Sequence, residues 1–297
     1  MGAVLISFAP VMVKVLPYEA AEIAAFRTLV GGVFLLLLLG FFKTSDFLKN
    51  LRQTPAVVWM FLGGSVFALD MYLWNVSVLA VGAGLATVLA NTQVFYMTAW
   101  GVLKKEESFD AIKFCSTIAG FVGLCLIGLD LESVEMRPKY LLGVTTGILA
   151  GLAYTGYMLC FRQTIRLHNR GVAPALCVIS LVCGIWMLFL AMGKEGFVLS
   201  DFAKMNVKIW LQIIFLGVAV HVGGWFFISR ALQKLPPSLV GLSLLAQPML
   251  ASLWGHAFFG ERFTNQQLGG ILLTLLGIGA IHIDRYRART RRRTYGA

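Results

Sequence analysis

Long apolar runs separated by short polar segments dominate this sequence. Runs such as 171–193 and 235–260 contain no Asp, Glu, Lys or Arg. They are longer and less charged than the helices of soluble cores, and they match the roughly 20 residues that a membrane-spanning helix needs. Marked off in order, the runs predict ten helices at about 1–16, 20–42, 56–80, 83–103, 112–129, 140–165, 172–193, 208–232, 236–258 and 265–284.

A polar segment at 130–139 divides these helices into two sets of five. Residues 1–129 form the first set, residues 140–284 form the second set, and residues 285–297 form a basic tail. The pattern therefore predicts an all-α integral membrane protein with ten transmembrane helices, in which 130–139 is a connecting loop.

Composition supports the membrane interpretation. Hydrophobic residues make up 58% of the 297 residues and charged residues only 13%, against about 25% charged in an ordinary soluble domain. Soluble enzymes, nucleic-acid binders and disordered proteins are therefore largely excluded. The five cysteines lie inside apolar runs without a CxxC spacing, so neither a metal site nor a cofactor is expected.

The net charge of +11 is distributed unevenly along the chain. If the N-terminus is cytoplasmic, most of the 25 basic residues fall in segments on the cytoplasmic side. We therefore expect both termini to be cytoplasmic, in a protein of the plasma (cell inner) membrane. The arginine-rich tail would then orient the last helix and contact anionic lipid headgroups rather than nucleic acid.

The two sets of helices share an internal repeat. One shift of the sequence along itself aligns Gln93 with Gln247, Trp100 with Trp254, Gly101 with Gly255, Glu107 with Glu261, and Phe109 with Phe263. Because each set holds an odd number of helices, the second copy must enter the membrane from the opposite side. Two inverted five-helix repeats are an architecture of secondary transporters, which expose a central site alternately to each side.

Several short motifs add to the repeat. They are Phe26-Arg27, the small-residue turn Val81 to Gly84, Gln247-Pro248, and Gly260 to Phe263 followed by Gly269 and Gly277. In this order and spacing the chain resembles the drug/metabolite transporter superfamily, in its EamA branch, over essentially its whole length. The resemblance implies a ten-helix carrier of small organic metabolites, often amino acids, nucleotide precursors or toxic cations, that commonly exports them. The first set departs from the pattern with Val94 in place of Pro248 and Glu106 in place of Gly260.

Asp70 is the clearest polar residue within an apolar run. A charge at mid-bilayer costs roughly 2.5–3.5 kcal/mol on insertion scales, so it usually faces a partner or a wet cavity. Helical spacing places Phe67, Trp74 and Ser77 on the same face. Asp70 either binds a cationic or amine solute beside the Trp74 ring, or carries a coupling proton, or pairs with Arg27 as a structural group.

Arg27 and His221 leave similar alternatives open. Arg27 either binds a solute carboxylate or phosphate or extends its charge to the headgroups. The repeat places His221 opposite Phe67, one turn before Trp225, where it either relays a proton or packs as a neutral side chain. Glu107 and Glu261 follow the fourth and ninth helices and are expected to cap the helix after each of them. Trp100 and Trp254 lie near helix ends, as interfacial anchors do.

We therefore predict a non-enzymatic secondary carrier, with the lipid bilayer and a small-molecule solute as its partners and no nucleic acid; a homodimer is left open. The predicted solute-binding residues are Asp70, Trp74, Asn91, Tyr154, Tyr157, His221, Trp225 and Gln247, with Arg27, Asp70 and His221 as charge partners or coupling groups. The resemblance implies export, and because no nucleotide-binding motif is present we expect a proton gradient or exchange to drive it. The alternatives are an intramembrane enzyme, for which no catalytic set stands out, and a sensor or scaffold on a carrier fold.

Overall fold

The computed structural model describes residues 1–41, 55–81, 83–107, 110–128, 139–167, 171–193, 205–260 and 264–295. Within these ranges the chain is helical, with turns between helices and no β-strand, which confirms the all-α prediction. The helices are α1 (Gly2–Ile6), α2 (Ala9–Val15), α3 (Ala20–Phe41), α4 (Ala56–Val81), α5 (Ala83–Ala90), α6 (Gln93–Leu103), α7 (Ala111–Gly128), α8 (Tyr140–Leu167), α9 (Val172–Met192), α10 (Val207–Ile214), a π-helical segment (Phe215–Gly223), α11 (Gly224–Lys234), α12 (Pro237–Leu244), α13 (Ala246–Phe259) and α14 (Asn265–Tyr295).

Seven stretches of the described chain are long and apolar enough to cross a membrane. They are Ala21–Phe41, Ala56–Val81, Tyr140–Leu167, Val172–Met192, Val207–Lys234, Pro237–Phe259 and Asn265–Ile283. Two shorter apolar stretches, Gly2–Val15 and Ala111–Ile127, correspond to the first and fifth predicted helices. The fourth predicted helix, at 83–103, is broken in the middle. Ten spanning helices therefore stay a prediction.

Some predicted segments differ from the structure or lie outside it. The last helix continues to Tyr295, into the segment predicted as a tail, because no Gly or Pro interrupts the arginine-rich stretch before that residue. Residues 130–138 of the predicted connecting loop 130–139 lie outside the described residues. So do Leu129, Gly82, Phe109 and the stretch 261–263 that contains Glu261.

The fourth and ninth predicted helices break at corresponding positions. Between α5 and α6, the side chains of Asn91 and Thr92 donate to the carbonyls of Thr87 and Leu89, at 2.9 and 2.7 Å. Local side-chain bonds of this kind compete with the helical ladder. Between α12 and α13 the helix turns at Leu245, three residues before Pro248, which has no N–H to continue the ladder. The break in the first set therefore needs no proline.

Close helix contacts recur in reciprocal form between the two sets. On α7, a Cβ built on Gly123 would lie 2.6 Å from the carbonyl oxygen of Gly270. On α14, a Cβ built on Gly277 would lie 2.7 Å from the carbonyl oxygen of Ser116. Gly277 is the repeat counterpart of Gly123, and Gly270 is the counterpart of Ser116. The glycine at the same repeat position in each helix therefore packs against the other helix. Small residues of this kind let membrane helices approach closely.

One contact joins a residue to its own counterpart. The Thr274 hydroxyl donates to the carbonyl of Gly120 at 3.4 Å, and the two residues are 154 apart in sequence. A contact between a residue and its repeat counterpart is what two helices related by an axis between them would make.

The α3–α9 pair repeats the arrangement. Gly32 of α3 packs against the Leu181 side chain, and Gly184 of α9 packs against the Leu29 side chain. Each helix thus presents a leucine and, three residues later, a glycine, and the two pairs interlock. These contacts hold α3 and α9 together next to the largest apolar cluster of the described chain, which also contains residues of α4, α8 and α11.

Candidate functional site

Four aromatic rings meet inside the helix bundle; Phe67, Tyr154, Tyr157 and Trp225 are called the aromatic cluster from here on. Phe67 of α4 stacks on Tyr157 of α8 with ring centroids 4.2 Å apart. Trp225 of α11 meets the Tyr157 ring edge-on at 4.7 Å and the Tyr154 ring at 5.9 Å. Phe67, Tyr157 and Trp225 are buried. Such ring pairs add about 0.5–1.5 kcal/mol each beyond the area they bury, so the cluster is rigid.

Two charged side chains, Asp70 and Arg27, lie beside the aromatic cluster. Asp70 of α4 is 9% exposed, and its carboxylate interacts electrostatically with the Arg27 guanidinium of α3 and with the Tyr154 hydroxyl. The Arg27 Nη2 donates to the Met71 sulfur at 3.1 Å, which is a weak acceptor. Arg27 therefore interacts electrostatically with Asp70, while its Nη2 contacts a thioether and its Nε has no hydrogen-bond partner within the described chain.

Two buried hydrogen-bond donors near these side chains, Arg27 Nε and the Tyr157 hydroxyl, have no partner within the described chain. The Gln247 amide lies against the Tyr154 hydroxyl, which also interacts with Arg27 and with Tyr157. A buried donor without an acceptor costs about 1–3 kcal/mol, and a group that carries acceptor oxygens would satisfy both.

His221 lies on the other side of the Phe67 ring. The π-helical segment carries it, and its Nε2 is 3.0 Å from the Ser180 hydroxyl of α9. The imidazole is nearly parallel to Phe67, with centroids 6.2 Å apart. A Cβ built on Gly31 of α3 would lie 3.0 Å from His221 Cδ2, so only glycine leaves room for the ring there. His221 is therefore a buried, hydrogen-bonded imidazole, and π-helical segments frequently mark functional sites.

Two of the predicted site residues do not join the aromatic cluster. Trp74 packs against a separate apolar group around Val81 and Leu85. The Asn91 amide donates to the Thr87 carbonyl within the broken helix. The structure thus brings Asp70, Arg27, Tyr154, Tyr157, Trp225, His221 and Gln247 together and places Trp74 and Asn91 outside that group.

Ser180 and Met71 are site residues that the sequence prediction missed. Ser180 partners His221, and Met71 partners Arg27. Ser180 is the one Ser or Thr in the run 171–193, a signal that could have been used. Met71 gives no such signal, because a methionine in an apolar helix looks like any core residue.

The turn after α6 carries two carboxylates with different partners. Glu106 accepts hydrogen bonds from Arg162 and from Arg166 of α8, the latter at 3.2 Å. Partial burial alone would raise the pKa of Glu106, but the hydrogen bonds and charges of the two arginines outweigh that effect and lower the pKa. Glu107 accepts from the Ser238 backbone N–H at 3.0 Å and from the Ser238 hydroxyl.

Glu107 therefore caps α12, whereas the sequence pattern predicts that it caps the next helix along the chain. The next helix, α7, is capped by Asp110, whose carboxylate accepts from the Ile112 N–H at 2.9 Å. Trp100 is exposed, with the Lys104 ammonium 5.0 Å from its ring, whereas Trp254 stacks on Phe8.

Comparison with known proteins identifies the family. The model of the EamA-like transporter family matches residues 1–129 and 141–282. The chain belongs to the EamA-like transporter family. It is 25% identical over 261 residues to the uncharacterized transporter YdfC of Bacillus subtilis (strain 168), covering 88% of this chain and 81% of that protein. It is also 25% identical over 274 residues to the uncharacterized transporter YwfM of the same organism, covering 88% of this chain and 84% of that protein.

A solved crystal structure shares the fold of this EamA-like chain. The superposition has a TM-score of 0.80 at 13% identity and covers 97% of this chain and 96% of the other. Family membership and the seven apolar spans together make the protein a multi-pass membrane transporter.

Proposed function

We propose that this protein is a secondary transporter that moves a small organic solute by alternating access, with Asp70, Arg27, His221, Gln247 and the aromatic cluster as its binding site. The observation that carries the proposal is the ionisable pair Asp70 and Arg27 beside two buried donors that have no partner in the described chain, inside a membrane transporter. Charged groups at that depth are expensive and usually serve the transported solute or the coupling ion.

The proposed mechanism needs ten spanning helices in two inverted sets. Three observations support this arrangement: the reciprocal glycine contacts of α7 with α14, those of α3 with α9, and the breaks at Asn91 and Leu245, which are repeat counterparts. Inverted copies can exchange conformations and so open one central site to either side in turn. The distribution of basic residues supports cytoplasmic termini in the cell membrane.

The chemistry of the site favours a zwitterionic solute of the amino-acid type. Asp70 suits an amine, the donors of Arg27 and Tyr157 suit a carboxylate, and the aromatic cluster suits an apolar side group. A purely cationic solute would leave the donors unpaired and would meet the Arg27 charge. A single chain supplies all these groups, so the proposal does not require a homodimer.

Coupling and direction complete the proposal. No nucleotide-binding motif is present in the sequence, so a proton gradient or solute exchange drives the cycle, with export as the expected direction. Asp70 and His221 are the proposed coupling groups, because both are buried near the site and both can bind a proton.

Flux through reconstituted vesicles tests the proposal. Uptake of radiolabelled zwitterionic amino acids and of a quaternary ammonium cation is compared for the native protein, Asp70→Asn and the control Asp110→Asn, which retains a capping oxygen at an outer turn. We expect the zwitterion flux of Asp70→Asn to fall at least about tenfold, because one charge-assisted hydrogen bond is removed. Asp110→Asn should keep the native flux. Equal flux in all three proteins would refute the site.

A further inference from the structure

In the turn that follows α6, the side chains of Glu106 and Glu107 point in different directions. The N–H groups of Glu106 and Glu107 both donate to the Gly101 carbonyl, at 3.0 and 3.1 Å. Lys105 adopts a left-handed conformation with φ of 53°, which reverses the chain. Gly101 leaves space for the returning Glu107 side chain. Glu106 consequently points to α8, and Glu107 points to α12.

Glu106 connects the two sets of helices through an ion-pair cluster near the surface. Its two oxygens bind the guanidinium groups of Arg162 and Arg166, which lie one turn apart near the end of α8. The side chains of Arg162, Glu106 and Arg166 are 13%, 23% and 55% exposed, so the Arg166 pair is the more solvated of the two. Ion pairs in contact with water are worth about 0.2–1 kcal/mol, so a change of conformation can break them at little cost.

Glu107 makes a contact of the opposite kind. Its side chain is only 2% exposed, and it holds the first turn of α12 through both the backbone and the hydroxyl of Ser238. Lys113 lies 3.6 Å away. Separating a buried carboxylate from its hydrogen bonds leaves the group unsatisfied, which costs more than breaking a solvated ion pair. We therefore expect the Glu107 contact with α12 to persist during a conformational change and the Glu106 ion pairs to break.

At the position that corresponds to Glu106, the second set has no carboxylate. The repeat places Gly260 where the first set has Glu106. Gly260 has a φ of +67° and no atom within 4 Å of a built Cβ, so this turn supplies no carboxylate to a neighbouring helix at that position.

We propose that Glu106, Arg162 and Arg166 form an ionic latch that holds the Glu106 end of the transporter closed and opens when the central site is exposed to that side. The latch rests on the proposed alternating access, because only that mechanism requires this end to open. Loss of the latch shifts the population towards the state that is open at the Glu106 end and leaves the solute-binding groups unchanged.

A native thiol offers a reporter that needs no solute. Cys183 is fully buried and interacts electrostatically with both Arg27 and Asp70, so it reports access to the central site. In a background with Cys115, Cys125, Cys160 and Cys177 replaced by alanine, a membrane-impermeant maleimide is applied to either side of sealed vesicles. A separate Lys105→Cys variant identifies which side carries the turn.

We expect Glu106→Gln to speed Cys183 labelling from the Glu106 side by roughly two- to fivefold, the range that a solvated ion-pair cluster supports, with no change from the other side. The matched control Glu107→Gln should lower the melting temperature without a side-specific change. Unchanged labelling in Glu106→Gln, or an equal increase from both sides, would show a merely structural contact and overturn the latch. Because labelling requires no transport, this result is independent of the Asp70→Asn flux test.

Discussion

The two faces that meet at the centre of this transporter occupy corresponding positions but differ in charge. The face formed by α3 and α4 carries Arg27 and Asp70, whereas the face formed by α9 and the π-helical segment carries the neutral pair Ser180 and His221. The repeat places Gly224 where the first set has Asp70. The scaffold contacts are reciprocal, but the chemistry of the site is not.

The face with Arg27 and Asp70 is called the charged face, and the face with Ser180 and His221 is called the neutral face. Ser180 and His221 satisfy each other, so their pairing costs little inside the membrane. Arg27 retains an unpartnered Nε donor within the described chain, and the burial of an ionisable pair carries a desolvation cost. Evolution can retain such a costly pair when the solute makes use of it. Substitutions on the charged face should therefore reduce transport, and substitutions in the reciprocal scaffold should reduce stability.

The largest effect is expected at Arg27. Arg27→Gln should lower flux of a carboxylate-bearing amino acid by at least about tenfold, because it removes a charge-assisted donor pair. Arg27→Lys should recover only part of the flux, since lysine restores the charge but not the Nε donor. Arg230→Lys is the control, because Arg230 is exposed and lies over the Phe226 ring. Full flux in Arg27→Gln would contradict the proposal that the charged face binds the solute.

The reciprocal contacts make a prediction about stability. Gly123→Ala and Gly277→Ala should each destabilise the fold by about 1–3 kcal/mol, and by similar amounts, because each added methyl group meets backbone atoms of the partner helix. Gly269→Ala, with no atom within 4 Å, should have little effect. Thermal unfolding in detergent measures all three. A large difference between Gly123→Ala and Gly277→Ala would argue against reciprocal packing.

The neutral face should respond less in transport. Ser180→Ala leaves His221 Nε2 without its partner and should cost about 1 kcal/mol of stability, with flux retained within a fewfold of the native value. Ser252→Ala, which removes a bond only to its own helix, is the control for the loss of a serine hydroxyl. Loss of flux in Ser180→Ala as large as in Arg27→Gln would show that both faces carry the chemistry equally.

The smallest effect concerns pH and the Glu106 cluster. The arginines lower the pKa of Glu106 below its ordinary value of 4.5, so its contribution to stability is complete above that pH and is lost as the pH falls through the lowered pKa. The melting temperatures of the native protein and Glu106→Gln should therefore differ by a constant amount near neutral pH and converge in acid. The difference corresponds to less than about 1 kcal/mol. A gap that widens as the pH falls would contradict this sign.

The sequence allowed the helices and most of the central polar groups to be predicted, because lone polar residues in apolar runs are conspicuous. Trp74 shows the limit of this reasoning. It shares a helical face with Phe67 but lies seven residues further along, about 10 Å along the axis, and so packs at another depth.

Tertiary structure decided the remaining features. Asn91 uses its amide to complete its own broken helix, Glu107 reaches a helix distant in sequence, and the π-helical segment has no sequence signature of its own. Each depends on which helices become neighbours, which local patterns do not specify.

Tyr157→Phe tests most directly the claim that the solute fills the unpartnered donors. The Tyr157 hydroxyl has no hydrogen-bond partner in the described chain, so its removal deletes no bond of the protein. Because an unsatisfied buried hydroxyl costs stability, the melting temperature without solute should stay the same or rise. The increase caused by a saturating zwitterionic amino acid should shrink, because a weaker ligand stabilises the folded state less. Tyr72→Phe, at an exposed position of α4, is the control. A solute-induced increase equal to that of the native protein would contradict the account.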